Sequence, residues 1–335
     1  MSKPIASLSL DLDNKWSYMK THGDAGWESL PTYLPLVVPR VLDVLSQRNL
    51  SITFFIVGLD TTREENHEAL RSIAVAGHEI GNHSWKHEPW LHLYSEAEIV
   101  EELARTEDAL EEVTGHRPLG FRGPGFSLSP TVLNVLSRRG YQYDCSTFPT
   151  FLGPLARLYY FFTAKLSAEQ RAERKQLFGT FSEGFRPLNP YCWRTKEGHL
   201  VEIPVTTMPG FRVPIHVSYL LYLSRFLPGL ALAYFSMAMR LCRWTGTSPS
   251  LLLHPLDFLG GDDCPDLSFF PAMDMPGQRK VELVCRVLDL FSKRFDVVTM
   301  REHCASLAEK SLPILDAETG KASSSRARPN LSFQS

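Results

Sequence analysis

The chain is expected to fold as an α/β protein, a parallel sheet or barrel with helices on the outside. Three observations carry that expectation. Short β-branched or aromatic runs alternate with helical patterns through about the first 145 residues. The β-α pairs have the lengths of parallel crossovers, and the same rhythm returns near residue 200.

Taken in order, Ile5 to Leu12 alternates and is apolar enough for a first strand. Val37, Val41, Leu42 and Leu45 recur at helical spacing, and Pro39 suits the first turn of that helix better than its interior. Ser51 to Val57 has the composition of a buried parallel strand. Ala69 to Ala76 reads as helix stopped by Gly77, followed by a short strand from His78 to Gly81. Ser95 and Glu98 form a capping-box pattern for a helix over Glu96 to Thr114, with Gly115 after its end. Phe121 ends another strand. Ser129 caps and Pro130 starts the next helix, which Gly140 terminates before a strand over Tyr141 to Asp144.

Residues 150–198 are rich in aromatics and arginines without a clean period, and read as an inserted cap or long loop. Strands are expected again at Leu200 to Val205 and Ser250 to His254, then a long helix over Gln278 to Lys293 and a last strand over Phe295 to Thr299. Thr299 and Glu302 form a capping box for a final helix. From Leu312 the composition turns to Ser, Ala, Arg and Asn, the pattern of a disordered tail over 312–335 behind a domain spanning 1–311.

A formal net charge of -2 gives no basic field for nucleic acid or an anionic surface. The six cysteines form no CxxC pair, so reduced thiols are expected. The N-terminus lacks the apolar core of a signal peptide, which favours a cytoplasmic location. The apolar stretch Phe226 to Met239 contains Pro228 and Gly229 and is shorter than a membrane span. The wider segment 217–244 carries only Arg225, Arg240 and Arg243 for charge. It reads either as core helices or as a peripheral contact with the inner face of a membrane.

Chemistry concentrates at strand ends. Five of the eleven histidines lie between His67 and His92. His83 and His87, four apart, can face one way and share a metal; two surface histidines give the same spacing. Asp11 and Asp13 close the first strand, where residues two apart point to one face and parallel folds place their sites. Two close carboxylates in a dry site repel unless a cation neutralises them. Asp11/Asp13, His83/His87, Arg122 in FRGPGFS, Asp144 in YDCST and His254 in LLLHP each fall at or just after an expected strand.

That motif order resembles the polysaccharide deacetylases (NodB-homology domain, carbohydrate esterase family 4) from about residue 5 to about residue 305. The D-x-D form, with GHEIGNHSWKH and YDCSTFP, is similar to the branch holding some peptidoglycan deacetylases and lipid-linked sugar deformylases. The resemblance implies a distorted (β/α)7-type barrel with an inserted cap. It implies hydrolysis of an N-acyl amide, acetyl or formyl, on an amino sugar that is free, in a glycan or lipid-linked. Asp13, His83 and His87 would hold a divalent metal, zinc first, with cobalt, nickel, iron and manganese also compatible with two imidazoles and a carboxylate.

Asp11 would be the general base and His254 the general acid. Arg122 would pair with Asp11, and Asp144, whose YDCST setting departs from better-known members, would hydrogen-bond His254. A backbone N–H near Ser146 or Thr147 would receive the oxyanion. Trp85, Phe126 and Ser146 are candidate substrate contacts, with aromatic packing as the plain alternative for the two rings. Two other readings stay open: a C–N hydrolase acting on cyclic imides or ureides, and a sugar-binding protein without activity. Homo-oligomer formation is left open too.

Overall fold

A computed structural model describes residues 3–153 and 181–329. The first strand, β1 (Ile5–Leu12), shows why the alternation in IASLSLDL matters. Ala6, Leu8, Leu10 and Leu12 are fully buried against helices, while Ser7, Ser9 and Asp11 are equally shielded on the other face. Successive side chains of a strand take opposite faces, so the polar set enters the sheet's concave interior. There Ser7 Oγ lies 2.9 Å from His303 Nδ1, and Ser9 Oγ accepts a hydrogen bond from Arg122 at 2.9 Å.

The remaining parallel strands are β2 (Thr53–Ile56), β3 (Glu79–Asn82), β4 (Gly120–Phe121), β5 (Tyr143–Asp144), β7 (Gly198–Glu202) and β8 (Ser250–Leu253). Their spatial order is β8-β1-β2-β3-β4-β5-β7, each neighbour parallel. Just beyond β7, Thr206 N–H donates to Ser250 O at 3.0 Å, and Thr206 Oγ1 accepts from Ser250 N–H at 2.8 Å. The ends of the sheet thus meet. The fold is a distorted (β/α)7-type barrel, as the resemblance implied, and the C-terminal strand ends share one rim.

Helices α1 (Lys15–His22), α2 (Leu34–Ser46), α3 (Glu64–Val75), α4 (Glu96–Thr114) and α5 (Pro130–Arg138) follow the early strands. Later come α6 (Val217–Ser224), α7 (Pro228–Thr245), α8 (Gly277–Arg294) and α9 (Met300–Ala305). The expected caps form: Ser95 with Glu98, Thr299 with Glu302, and Ser129 ahead of Pro130. In α2, Leu34, Val37, Val38, Val41 and Leu45 are fully buried, each worth about 1.5–3 kcal/mol of burial. Pro39 sits inside that helix rather than in its first turn, which begins at Leu34 and already holds Pro35. The short strand β9 (Asp296–Val298) pairs with the start of β1, and α9 below it plugs the barrel with Met300 and Cys304 against Phe55 and Tyr143.

Two expectations about the periphery change. Of the cap assigned to 150–198, residues 154–180 lie outside the described residues, but β6 (Tyr191–Thr195) is a strand antiparallel to β7. The tail expected to be disordered forms β10 (Leu312–Asp316), parallel to β6, and β11 (Ala322–Ala327), antiparallel to β10. The serine-rich composition misled because β11 is mostly exposed and needs no apolar face, whereas Leu312, Ile314 and Leu315 are buried. All six cysteines are unpaired.

Candidate metal centre

Three side chains from two strand ends converge. Asp13 follows β1, and His83 and His87 sit in the loop after β3; their ligand atoms all lie within 4.8 Å of one another. Asp13 Oδ1 faces His87 Nε2 at 2.9 Å and His83 Nε2 at 3.3 Å, yet it is buried with no hydrogen-bond partner. A carboxylate oxygen left so between two imidazole nitrogens is a place for positive charge. Burial works against the charge on Asp13, but the His87 and His83 rings hold its carboxyl well below the usual range. Burial opposes protonation of His83, and the Asp11 and Asp13 carboxylates outweigh it.

The imidazoles are aimed by their surroundings. His83 Nδ1 lies 2.6 Å from Arg122 O, so Nδ1–H donates there and Nε2 is turned toward Asp13. Between the histidines the chain makes a sharp turn, not a helix, with Ser84 at φ 61° and His87 at φ 52°. Non-glycine residues hold such angles only where neighbours impose them. Asn82 Oδ1 accepts from Ser84 N–H at 2.8 Å, an Asx-type turn. Glu102, buried on α4, accepts from the N–H groups of Trp85 and Lys86, both at 2.9 Å, through the same oxygen. Gly58 and Leu59 N–H donate to Ser84 O and Trp85 O at 2.9 and 3.0 Å. On the other side, Tyr33 OH donates to Asp13 O, and Asn14 caps α1 while donating to buried Asp60 at 2.7 Å.

Asp11, near the end of β1, lies two residues before Asp13. Arg122, fully buried after β4, donates from Nη1 to Asp11 Oδ1 at 2.5 Å and from Nε to Cys145 O at 3.1 Å. Its guanidinium lies 4.4 Å from the Phe55 ring centroid. His254 follows β8, one residue beyond the Leu10↔Leu253 pair, beside the strand that carries Asp11. Its Nδ1 lies 3.1 Å from Ser218 Oγ, and its backbone N–H donates to buried Asp257 at 2.8 Å.

Several expected roles change. Asp144 does not hydrogen-bond His254. It is fully buried, accepts from Ser146 Oγ at 2.6 Å, and neighbours the Glu202 carboxyl. Burial and the neighbouring Asp144 charge push the Glu202 carboxyl well above the usual range. Ser146 is not free for substrate: besides donating to Asp144 it accepts from Gly123 N–H at 2.8 Å. The backbone N–H groups proposed for an oxyanion are also taken, that of Ser146 by Asp144 and that of Thr147 by Glu202 at 3.1 Å.

Trp85 is a packing residue. Its ring is buried against Gly58 and Thr106, with the Arg105 guanidinium 4.2 Å from its centroid. Phe126 is half-buried and stacks on Phe148 at 4.9 Å. Phe148 meets His216 at 5.6 Å, and His216 meets His254 at 6.2 Å, so an aromatic row links Phe126 to the expected acid.

Sequence reasoning missed Glu102, His216, Ser218, Asp257 and Tyr33. Glu102 had a signal, an acidic residue on the apolar stripe of α4 between Ile99 and Leu103. So had Asp257, three residues after His254 in a capping-box spacing. His216 and Tyr33 had none.

Comparison with known proteins completes the picture. The polysaccharide deacetylase family profile matches residues 24–143, a stretch that holds His83, His87 and Arg122 but not Asp11, Asp13 or His254. A peptidoglycan-N-acetylglucosamine deacetylase of Listeria monocytogenes is 34% identical over 111 residues, 33% of this chain and 23% of that protein. A Bacillus cereus peptidoglycan-N-acetylglucosamine deacetylase is 36% identical over 86 residues, 26% of this chain and 30% of the relative. The chain thus matches less than a third of the length of either. The crystal structure of a Mycobacterium smegmatis protein assigned to the polysaccharide deacetylases has a TM-score of 0.60 at 23% identity, covering 91% of both chains, a likeness of fold.

Proposed function

For a chain that carries a polysaccharide deacetylase domain, we propose metal-dependent hydrolysis of an N-acyl amide, acetyl or formyl, on an amino sugar. The observation that carries this reading is the buried, unpartnered Asp13 Oδ1 between two imidazole nitrogens, with the Asp11–Arg122 pair beside it. The relatives' activity on peptidoglycan N-acetylglucosamine supports the substrate class.

Two neutral imidazoles and one carboxylate suit a divalent cation, with zinc first in expectation. When bound there, such a cation supplies Lewis acidity, which acidifies water and polarises an amide carbonyl. Everything else falls to the chain. Asp11, pinned by Arg122, accepts the proton of the attacking water. His254, anchored through its backbone to Asp257 and near Ser218, donates a proton to the amine nitrogen, which leaves poorly otherwise. The row from Phe126 through Phe148 to His216 offers flat apolar surface for a sugar ring beside that acid.

The test is a panel of N-acetyl and N-formyl amino sugars, free, polymeric and lipid-linked, with metal content measured in parallel. His83→Ala is expected to lose both metal and turnover, and His254→Ala to keep the metal and lose at least 100-fold in turnover, within the usual range for a general acid. Turnover of cyclic ureides with none of amino sugars, or full activity in His83→Ala, overturns the reading.

A further inference from the structure

The helices α6 and α7 pair their inner faces with the core: Leu220, Leu221, Phe235, Ala238 and Met239 are buried there. The outer face is an apolar surface left exposed among the described residues. Phe226 and Leu227 at the connecting turn are 66% and 60% exposed, and along α7 Leu230, Met237 and Trp244 are 54%, 51% and 85% exposed. On a helix these last three share one side, so the stripe runs about 21 Å. Single exposed apolar side chains are ordinary, but five on one hairpin mark a contact surface.

The charge of the segment says what the partner is. Between Glu202 and Asp257 the sequence holds four arginines, no lysine and no acidic residue. Arg240 and Arg243 are exposed at the Trp244 end. Arg294 of α8 joins them, and burial together with these two neighbouring cations lowers its pKa. Among the described residues no carboxylate lies within ion-pair distance of any of the three. A helix with apolar and aromatic residues on one side and arginines at its margin is the pattern of an in-plane interfacial helix. No helix among the described residues is long and apolar enough to cross a membrane.

We propose that the α6–α7 hairpin docks this protein onto an anionic lipid surface. Phe226, Leu227, Leu230, Met237 and Trp244 enter the headgroup boundary, and Arg240 and Arg243 meet lipid phosphates, with half-buried Arg294, which donates to Ser236 Oγ at 2.8 Å, adding positive charge behind them. The same hairpin touches the proposed acid, because Ser218 Oγ of α6 lies 3.1 Å from His254 Nδ1. Docking stands independently of the proposed reaction, since binding is read without turnover.

The test is flotation of the full chain with phosphatidylcholine vesicles, with and without phosphatidylglycerol. The protein is expected to float with the anionic vesicles, less with neutral ones, and less again in high salt. Arg240→Gln and Arg243→Gln should each weaken partitioning about fivefold. The combination of Phe226→Ser, Leu230→Ser and Met237→Ser should weaken it at least tenfold, with circular dichroism confirming an unchanged fold, as exposed positions allow. A wild type that stays at the bottom with anionic vesicles overturns the proposal. So does a triple variant that floats like the wild type. A wild type that sediments as an oligomer, becomes monomeric in Met237→Ser and ignores vesicles reassigns the face to self-association.

Discussion

Removing the Glu102 side chain should cost metal affinity although it touches none of the proposed metal ligands. Its carboxylate receives the N–H groups of Trp85 and Lys86, which lie between the two imidazoles, both at 2.9 Å and both on one oxygen. Hydrogen bonds to a charged acceptor are worth roughly 1.5–3 kcal/mol each, and a buried N–H left without a partner costs about 1–3 kcal/mol. Lys86 is exposed and water can replace its bond, whereas Trp85 is buried. Glu102→Ala should therefore lower folding stability by about 2–4 kcal/mol. The loop it frees carries Ser84 and His87 at positive φ, angles it will not keep unaided. Relaxation of that turn moves His87 away from Asp13. Loss of such an outer support typically costs 10–100-fold in metal affinity, or about 1.4–2.7 kcal/mol. Glu102→Gln is the informative control, because an amide oxygen can accept the same two N–H groups without charge; its loss should stay under about tenfold. The assay is competition for zinc with a chromophoric chelator, beside urea unfolding of each variant. Metal affinity in Glu102→Ala equal to that of the wild type refutes the reasoning. A Glu102→Gln variant as weak as the alanine shows that charge, not the acceptor geometry, holds the loop.

Two further outcomes follow from packing and protonation. Gly58→Ala places a Cβ 2.5 Å from Trp85 Cε3 and 2.6 Å from Thr106 Oγ1, both buried, so urea unfolding should show a loss of about 1–3 kcal/mol. His78, whose Nδ1 accepts from Ile52 N–H at 3.2 Å, is held by burial at a pKa of about 4 against an ordinary 6.5. Its folded form binds fewer protons than the unfolded chain, so its contribution is complete above pH 6.5 and is lost as pH falls toward 4. The stability difference between wild type and His78→Asn should therefore be flat above pH 7 and shrink by roughly 1–2 kcal/mol by pH 5, a change that urea titrations at several pH values will detect.

The parts legible in the sequence are those governed by local pattern. Alternation in IASLSLDL gave β1, capping signals gave both ends of α4, and strand-end position gathered Asp11, Asp13, His83, Arg122 and His254 on one rim. What misled is long-range. Trp85 looked like a sugar platform because it neighbours the histidines, but a residue between two left-handed turns points where the tertiary packing sends it, here onto Gly58. Asp144 was paired with His254 by analogy, while the chain supplied a nearer partner in Glu202, 58 residues later on β7. The tail was judged by composition, yet three apolar residues in Leu312–Asp316 suffice for a strand when β6 already offers an open edge.

Arg122 shows why the site holds together as one object. A guanidinium with no exposed surface is costly unless its donors are met. Here the cost is partly offset by Asp11, Ser9 Oγ, Cys145 O and the face of Phe55, while Nη2 is buried without a hydrogen-bond partner among the described residues. The same residue's backbone carbonyl fixes the His83 ring. Side chain and main chain of a single position thus set both the proposed base and a proposed ligand, from strands β1 and β3 on either side of β2. A lysine would keep the charge and lose the fork that reaches Asp11 and Cys145 together, so it could not hold that spacing. The polar face of β1, with Ser7, Ser9 and Asp11 turned inward, is what makes room for such a cation inside a barrel whose other strands contribute Phe55, Tyr143 and Val201. A strand buried on both faces but apolar on only one is therefore the element from which the chemistry of this fold is organised.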